Sequence, residues 1–318
     1  MSFLKELEKK REALKKTAPP REDAKLEEMI VKDEADYFRL MKETYFETYY
    51  SLIEEFTFKS VIIPLTMEDI QALHDAHRVF LTQGDDGDFD LGAVKAKIEE
   101  GIIQVRKKTL EDTRVFVRLS SRSPKDAIYH LARFPRLYRE KLDQLKDQED
   151  ILSKLHAFYQ ASTEVLAVSE PGQAAELLTK SERIQGDLQV CLASKEPMSL
   201  VVRQFVTFPV KNELRGFVYE GVLTALSQYN NLAFFPEHRE GKREVEAKVR
   251  SFMAGFIRAM EATLSSFIVD LVLDNEGKVW AVEVNPFGEL AGSCLFGWSK
   301  DRSVTGMIHL QNMKYVNH

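Results

Sequence analysis

The stretch FIVDLVLDNEGKVWAVEVNPFGE, residues 267–289, constrains the fold more than any other part of the sequence. Two apolar runs flank the polar turn DNEG, and this arrangement predicts a β-hairpin. Because side chains alternate between the two faces of a strand, Glu283 and Asn285 point the same way. Folding the hairpin places Asp270 opposite position 281 or 282, so Glu283 is a near neighbour. The turn type decides which face Asp270 occupies, and the sequence leaves that face open.

The two acids and the amide of this hairpin, Asp270, Glu283 and Asn285, have two interpretations. Two carboxylates brought together without a cation repel each other and cost stability. Proteins commonly hold Mg²⁺ with one or two carboxylates plus substrate phosphates, which favours a metal site. The alternative is that these side chains are edge-strand charges facing solvent. Periodicity alone does not separate the two interpretations.

Three arginines interrupt apolar strands: Arg118 within VFVRL, Arg203 within LVVRQFV, and Arg215 just after Glu213. A charged residue in an apolar strand is rarely left unpaired. A bound polyphosphate suits these arginines, because the planar guanidinium grips phosphate oxygens and Mg²⁺ neutralises the remaining charge. The alternative is three structural pairs between arginine and carboxylate, with Glu213 as one partner. The sequence contains no G-x-x-x-x-G-K-[ST] motif, so a P-loop is excluded.

The rest of the chain alternates helical and strand patterns, which together predict an α+β protein. The predicted helices are 2–16, 23–56 with a break near Asp33, 91–108, 124–134, 135–166 and 243–264. The predicted strands are 59–65, 115–119, 187–192, 199–208 and a hairpin over 214–230 that turns at Glu220 and Gly221.

Two other stretches contain possible metal ligands, but neither matches the ligand pattern of a known type of metal site. The acidic loop GDDGDFD, residues 84–90, lacks the spacing and the closing Glu of an EF-hand loop, so a solvated loop is expected. His74 and His77 lie one turn apart on a predicted helix without a third ligand nearby. We therefore expect both histidines to be surface residues.

The net charge and the composition limit the classes of partner that are expected. The formal net charge is −6, which gives no general attraction to nucleic acid or to an anionic membrane. Only two cysteines occur, Cys191 and Cys294, so no disulfide framework is implied. No apolar run is long enough to cross a bilayer, and the charged N-terminus lacks the apolar core of a signal peptide. We expect a cytoplasmic protein without a membrane partner.

Four ordered blocks of the sequence resemble the cell division cycle protein 123 family, which belongs to the ATP-grasp superfamily. They are FTFKSVIIPLT (56–66), FVRLSSRSPKDA (116–127), LVVRQFV with ELRGFVYEGVLTALSQY (200–206 and 213–229), and DLVLDNEGKVWAVEVNPFGE (270–289). The resemblance extends from about Phe56 to Trp298. It implies an α+β ATP-grasp fold in which two lobes clamp ATP. The implied division is a helical N-terminal extension (1–55), an N-terminal lobe with helical insertions (56–198) and a C-terminal lobe with the metal hairpin (199–318).

The same resemblance implies roles for individual residues. Asp270, Glu283 and Asn285 are expected to bind Mg²⁺. Arg118 stands where the family usually places a phosphate-binding Lys, and Ser120 follows it in the same block. Arg203 and Arg215 match basic positions near the nucleotide, and Gln204 and Phe205 match the interlobe segment beside adenine. The implied cofactors are ATP and Mg²⁺.

The chain also departs from the family pattern. The family usually carries a Trp near Arg118, where this chain has the run Ser120 to Ser123, and an acidic residue where this chain has Gly292. Eukaryotic members carry a longer tail after the position of Trp298, a tail implicated in partner contact. These departures leave ATP binding in place and weigh against identity with the eukaryotic assembly factor.

Two functions follow from the resemblance. The first is a ligase-type enzyme that transfers the γ-phosphate to the carboxylate of an unknown acceptor and lets a nucleophile displace the acyl phosphate. The second is an ATP-dependent assembly chaperone for a complex like translation initiation factor 2. The sequence favours the first function, because the tail is short. A helical interaction module explains only the N-terminus. The sequence identifies no catalytic residue, acceptor or client.

Overall fold

The computed structural model describes residues 34–84, 90–109, 114–147, 149–298 and 313–314. They form two compact units, residues 57–210 and the described residues on either side of that range. The helices are α1 Glu34–Glu43, α2 Phe46–Ile53, α3 Met67–Gln83, α4 Gly92–Thr109, α5 Arg133–Asp143, α6 Ile151–Glu164, α7 Pro171–Lys180, α8 Glu182–Ser194 and α9 Glu237–Met260. The strands are β1 Ser60–Pro64, β2 Val115–Leu119, β3 Ser199–Gln204, β4 Glu213–Tyr219, β5 Val222–Gln228, β6 Phe267–Leu273, β7 Val279–Pro286 and β8 Met313–Lys314.

The unit of residues 57–210 is built on an antiparallel sheet with the strand order β1-β3-β2. Val61, Val202 and Val117 are register partners and share one face of this sheet. Helix α4 packs on that face at Gly101, where an added Cβ would lie 2.5 Å from Cγ2 of Val202. A residue larger than glycine would therefore push the helix away from the sheet.

Helices α7 and α8 pack against α3 or α4, and α5 and α6 pack against each other. Helix α3 begins with a capping box, in which Thr66 and Asp69 bond each other's backbone amides. Helix α7 begins with Pro171, whose fixed φ suits the first helical position. Helix α7 packs against both α3 and α4, and α8 packs against α3.

The other unit is built on a sheet with the order β7-β6-β4-β5-β8, in which β5 and β8 are parallel and the other pairs antiparallel. Helix α9 covers one face, where Phe256 meets Phe267 edge to face. Residues 287–298 cover part of the other face. Their apolar side chains pack with Phe217 and Ile268 in one buried cluster.

The α2 segment attaches to the edge strand β7. The Tyr49 hydroxyl accepts a hydrogen bond from the Val284 amide at 3.3 Å, and the Phe56 carbonyl accepts one from the Ala281 amide at 2.9 Å. Met41, Tyr45, Tyr49 and Ile53 recur at roughly helical spacing and are buried, so this segment packs on the fold through one apolar side.

Several predictions of secondary structure are confirmed and others are wrong. Strand β2 has the predicted bounds, and the β4–β5 hairpin turns at Glu220 and Gly221, both with positive φ. The predicted strand 187–192 is wrong, because these residues lie within α8. Ile184, Leu188 and Cys191 recur at helical spacing and are buried, so the helical period determined this segment.

Other differences concern helix boundaries and burial. The predicted helix 23–56 is interrupted at Thr44 and Tyr45, and residue 33 and those before it lie outside the described residues. So do the predicted helix 2–16 and most of the acidic loop. The expectation that His77 is a surface residue is wrong: its ring is buried and Nδ1 donates to the Thr179 carbonyl at 2.8 Å. The domain boundaries implied by the resemblance remain a prediction.

Candidate functional site

A row of polar side chains crosses the middle of the sheet in the unit that contains β4–β7. Arg215 on β4 is the register partner of Asp270 on β6, and Asp270 is the partner of Glu283 on β7. Partners directly opposite each other in an antiparallel sheet point to the same face. Asn285 lies two residues beyond Glu283 and shares that face. The structure therefore brings together four of the residues singled out in the sequence.

A β-bulge on β7 produces this alignment. Leu271 pairs with Ala281, whereas Asp270 pairs with Glu283, so Val282 is the extra residue on the bulged strand. With regular pairing Asp270 would oppose Val282, and Glu283 would point to the other face. The sequence-based register, opposite position 281 or 282, is therefore displaced by one to two residues. A bulge has no simple signal in a single sequence. The sequence therefore did not determine which face of the sheet Asp270 occupies.

Arg215 and Asp270 form a buried bidentate pair. Nε of Arg215 donates to Oδ1 of Asp270 at 2.6 Å, and Nη2 donates to Oδ2 at 2.7 Å. Nη1 donates to the Gly292 carbonyl at 2.6 Å. Burial lowers the pKa of Arg215, but the charge of Asp270 and its hydrogen bonds raise that pKa well above the ordinary value. The guanidinium therefore stays charged within the sheet, and its acid partner is Asp270 instead of the Glu213 suggested by sequence.

Glu283 and Asn285 are partly exposed on β7, which is an edge strand in the described sheet. The Asn285 amide nitrogen donates to Oε1 of Glu283 at 3.1 Å. This bond orients the amide so that its oxygen is available to a different partner. Glu283 and Asn285 therefore lie on an edge strand, as the alternative interpretation of edge-strand charges expects. Asp270 does not fit that interpretation, because it is fully buried.

The oxygens of this row suit a small hard cation. A carboxylate has about four lone-pair positions, so Asp270 retains acceptor capacity beside the two bonds from Arg215. Mg²⁺ prefers carboxylate, carbonyl and phosphate oxygens and often takes only one or two carboxylates from the protein. Within the described residues, no group of three or more His, Cys, Asp or Glu side chains is arranged to hold a metal. Oxygen ligands of this kind suit Mg²⁺ held together with phosphate oxygens, and the predicted metal-binding roles of Asp270, Glu283 and Asn285 remain predictions.

An apolar wall stands beside the polar row. Phe217, two residues along β4 from Arg215, meets Phe296 and Trp298 edge to face. The Leu295 amide donates to the Ser227 hydroxyl at 3.2 Å, and Ser227 is the register partner of Arg215 on β5. The segment 287–298 is thus tied to the row at both Arg215 and Ser227. Its packing keeps water from that end of the ion pair.

Arg118 and Arg203 lie in the other unit, on the sheet face opposite α4. Arg118 on β2 pairs with Val201, and Arg203 on β3 pairs with Phe116, so the two arginines are diagonal neighbours on one face. Their exposed fractions are 1% and 2%. Two arginine side chains are therefore buried on the same face of a three-stranded sheet.

Their described contacts hold these arginines in place. Nε of Arg118 donates to the Leu119 carbonyl at 3.0 Å. Nη2 of Arg203 donates to the Thr57 hydroxyl at 2.5 Å, and its guanidinium carbon lies 5.2 Å from the centre of the Phe58 ring. A cation above an aromatic ring is stabilised by the ring quadrupole. The predicted phosphate-binding roles of both arginines remain predictions.

The other predicted nucleotide residues of this unit have contacts inside the fold. The Ser120 hydroxyl donates to the Ser199 carbonyl at 3.2 Å and accepts from the Ser199 amide at 2.7 Å. The backbone amide of Gln204 donates to the backbone carbonyl of Lys59 at 2.8 Å. The Phe205 ring lies 5.3 Å below the Arg114 guanidinium. These contacts fix Ser120 and the end of β3; the predicted roles of these residues toward a ligand remain predictions.

Arg122, next to the predicted nucleotide residues, takes part in an ion pair that the sequence did not predict. Nε of Arg122 donates to Oδ2 of Asp187 at 2.6 Å and ties the segment after β2 to α8. Asp187 lay at the start of the wrongly predicted strand, so its true face was not visible. A helical assignment for residues 182–194, based on the Ser181 cap, is the signal that places this acid on a helix.

Comparison with known proteins identifies the family. The sequence model of the D123 family matches residues 49–306. The chain belongs to the D123 family. Cdc123 from Schizosaccharomyces pombe has a similar structure, with a TM-score of 0.62 and 18% identity over 86% of this chain and 96% of that one. Its C-terminally truncated form gives a TM-score of 0.63 at the same coverage. The resemblance to the family and the predicted α+β fold class are confirmed, and the assignment to the ATP-grasp superfamily remains a prediction.

Curated relatives match over a shorter region. The translation initiation factor eIF2 assembly protein of Xenopus tropicalis is 28% identical over 113 residues, 36% of this chain and 33% of the relative. The protein of the same name from Xenopus laevis is 30% identical over 103 residues, 32% of this chain and 30% of the relative. The chain thus matches about a third of the length of these relatives.

Proposed function

We propose that this D123 family member is a nucleotide-dependent assembly factor, which binds Mg·ATP and a protein client resembling translation initiation factor 2. The observation that carries the nucleotide half is the alignment of Arg215, Asp270, Glu283 and Asn285 on one sheet face. The observation behind the client half is the name shared by the curated relatives, translation initiation factor eIF2 assembly protein. The proposed location is the cytoplasm. Among the described residues, no helix has the length and apolar character to cross a membrane.

Each residue of the hairpin has a defined part in this proposal. When bound, Mg²⁺ neutralises part of the charge on the ATP phosphates. Glu283 and Asn285 offer oxygens to the cation from the accessible edge strand. Asp270 offers a third oxygen, and its position is fixed by the two hydrogen bonds from Arg215. Arg215 therefore acts chiefly as a positioning residue for Asp270, although the sequence resemblance places it near the nucleotide.

Arg118 and Arg203 are the proposed phosphate contacts of the other unit. Both are buried on one sheet face at diagonal register positions, where water competes poorly for an anion. Electrostatic attraction between a guanidinium and a phosphate is much stronger in such a place than in water. The fixed guanidinium planes suit bidentate contact with phosphate oxygens.

The first experiment measures Mg·ATP binding to the full chain by calorimetry. Glu283→Gln keeps the side-chain shape but removes a negative ligand, so affinity is expected to fall tenfold or more, about 1.4 kcal/mol. Glu276→Gln is the matched control, because Glu276 is exposed in the turn of the same hairpin. Equal affinity of both variants for Mg·ATP would refute the metal assignment.

The second experiment tests the client. Separately purified subunits of a translation initiation factor 2-like complex are mixed with the full chain, with and without Mg·ATP, and complex formation is followed by analytical ultracentrifugation. We expect assembly to accelerate only with the wild-type chain and Mg·ATP, and Glu283→Gln to lose the acceleration. Assembly that is equally fast without the chain would refute the client half of the proposal.

The ligase-type function that the sequence favoured is a separate outcome of the same assay. A ligase releases ADP and phosphate and leaves a covalently modified acceptor, whereas an assembly factor need not modify its client. Labelled ATP and mass spectrometry of every protein in the mixture distinguish the two functions. ADP release that depends on Glu283, together with a modified product, would replace the assembly proposal by the ligase.

A further inference from the structure

Strand β7 donates two hydrogen bonds from its outer edge to the chain in and just after helix α2. The Ala281 amide donates to the Phe56 carbonyl at 2.9 Å, and the Val284 amide donates to the Tyr49 hydroxyl at 3.3 Å. These two amides lie on either side of the β-bulge at Val282. The chain around α2 therefore contacts the hairpin on both sides of its irregularity.

The spacing of these two amides is that of a bulged strand and differs from that of a regular one. Along a regular β-strand the amide groups alternate between the two edges, so every second residue presents its N–H to the same edge. Ala281 and Val284 are three residues apart, and both amides reach the outer edge because an extra residue lies between them. In a regular strand the Glu283 amide would take the outer edge, and the Val284 amide would turn towards β6.

The same extra residue decides which face of the sheet Glu283 occupies. With the bulge, Glu283 is the register partner of Asp270 and shares its face, whereas without the bulge Val282 would oppose Asp270. Asn285 follows two residues later, so it changes face together with Glu283. A contact that selects the bulged register therefore also selects the arrangement of the candidate metal ligands.

Packing fixes both acceptors in place. Tyr49 is fully buried. The Phe56 ring meets Phe252 and Phe256 of α9 edge to face, with centroid distances of 5.6 and 5.8 Å. Gly255 leaves room for this ring, because an added Cβ would lie 3.2 Å from it. Acceptors held in this way impose their spacing on the strand that donates to them.

A simpler role for this part of the chain is to cover an edge strand, since exposed edges invite pairing with other chains. Coverage alone requires no acceptor at a particular position. A phenylalanine at position 49 would cover the edge equally well, whereas the Tyr49 hydroxyl adds an acceptor for the Val284 amide. A buried amide without an acceptor costs more free energy than a formed hydrogen bond returns, so this acceptor favours the register that uses it.

We propose that residues 46–56, the α2 segment, are a positioning element for the candidate metal site. Its hydroxyl and carbonyl acceptors hold β7 in the bulged register, and that register keeps Glu283 beside Asp270 on one sheet face. Tyr49 is thus a positioning residue, which acts on the metal through strand β7. The inference rests on the proposed function, which assigns the metal to these side chains, and it makes Mg·ATP binding depend on the attachment of α2.

The first measurement determines the register of β7 by NMR in the full chain, for wild type and Tyr49→Phe. The α-protons of two residues in a non-hydrogen-bonded antiparallel pair lie close enough for a strong NOE. The bulged register gives this NOE between Val269 and Val284, whereas a regular register gives it between Val269 and Glu283. We expect the first NOE in wild type. In Tyr49→Phe we expect it to weaken, with faster hydrogen exchange of the Val284 amide.

The second measurement titrates the same proteins with Mg·ATP by calorimetry. Tyr49→Phe keeps the ring and is expected to lower the affinity about fivefold, the equivalent of one lost hydrogen bond. Tyr50→Phe is the matched control, because Tyr50 is also buried on α2 and its hydroxyl donates to Glu54 at 3.4 Å. We expect Tyr50→Phe to behave as wild type in both measurements.

The outcomes separate this inference from the proposed function. Absence of Mg·ATP binding in wild type would refute the proposed function and the metal role with it, whatever the register of β7. Binding by wild type, with an unchanged NOE, amide exchange and affinity in Tyr49→Phe, would overturn the positioning role alone. A lower affinity with an unchanged register would also overturn it, because Tyr49 would then act by another route.

Discussion

The two sheets hold buried arginines in different ways. In the sheet of β4–β7, Arg215 is fixed by both oxygens of Asp270, a partner with a formal negative charge. In the sheet of β1–β3, the described hydrogen bonds of Arg118 and Arg203 run to a backbone carbonyl and to a hydroxyl. The first kind of bond supplies a counter-charge and the second kind supplies orientation.

The difference teaches how to interpret an arginine inside an apolar strand. In the sequence the three arginines look alike, and each has a structural and a functional interpretation. A bidentate carboxylate makes removal of the arginine expensive for the fold, because an uncompensated acid remains buried. A hydrogen bond to a neutral group, such as that of Arg118 to the Leu119 carbonyl or of Arg203 to the Thr57 hydroxyl, contributes about 0.5–1.5 kcal/mol. We expect Arg215 to matter chiefly for stability, whereas the family resemblance places Arg118 at a phosphate-binding position and predicts a larger effect on ligand binding.

The largest expected effect is at the charge pair. Arg215→Met leaves Asp270 buried without its partner, and we expect the free energy of unfolding to fall by about 3–5 kcal/mol. Chemical denaturation of the chain without nucleotide measures this loss. The double variant Arg215→Met with Asp270→Leu removes both charges and is expected to recover most of the stability. If the single variant were as stable as wild type, the pair would not hold the sheet.

How far the sequence reveals this site depends on the kind of contact. Alternation along a strand placed Glu283 and Asn285 on one face, because the period of two is a property of the chain itself. The pairing of Arg215 with Asp270 joins residues 55 positions apart, and single-sequence patterns carry no information on such a pair. The bulge at Val282 also escaped prediction, since an extra residue in a strand has no composition of its own.

Parts of the fold were predictable because their signals are local in the sequence. Strand β2 and the β4–β5 hairpin are bounded by clear local signals, a β-branched run and a Glu-Gly turn. The sequence of residues 187–192 gave a wrong prediction because a short apolar run, here Val190 to Leu192, fits both a strand and a buried helix. The burial of His77 depends on α7 packing against α3, a tertiary contact that no local pattern shows.

The second largest expected effect concerns Arg118, in the sheet of β1–β3. Arg118→Met keeps an apolar stem and some length, so the melting temperature without ATP is expected to change little. Mg·ATP affinity, measured by calorimetry, is expected to fall tenfold or more, about 1.4 kcal/mol. A collapse of the fold with intact nucleotide affinity in the remaining folded protein would assign Arg118 to structure and remove the contrast with Arg215.

The smallest expected effect compares the pH dependence of the two units, since each contains a histidine with a lowered pKa: His77, which is buried, and His238, which is half-buried. Burial is the main cause for His77 and for His238. The bond from His77 to the Thr179 carbonyl and the charge of Glu182 act in the opposite direction, whereas the charges of His74 and His130 lower its pKa further. For His238, the Lys211 carbonyl and Glu237 raise the pKa and the Lys211 charge lowers it.

The sign of the pH effect follows from proton uptake. An unfolded histidine binds a proton near pH 6.5, whereas the buried ring resists protonation until a lower pH. Stability is therefore complete above about pH 6.5 and falls as the pH drops towards the folded pKa, by up to about 1.4 kcal/mol for each pKa unit. Carboxylates with lowered pKa values, such as Asp69 and Asp274, act only at more acidic pH.

Single variants separate the two histidines. The free energy of unfolding is measured between pH 7 and pH 5 for wild type, His77→Gln and His238→Gln, a window in which histidines titrate and ordinary carboxylates stay charged. We expect each variant to have a shallower pH dependence than wild type, because it lacks one of the two groups that take up a proton on unfolding. Hydrogen exchange of α3 and α9 assigns each change to its own unit. An unchanged slope in His77→Gln would mean that the ring is protonated in the folded chain, and that its bond to the Thr179 carbonyl offsets the cost of burial.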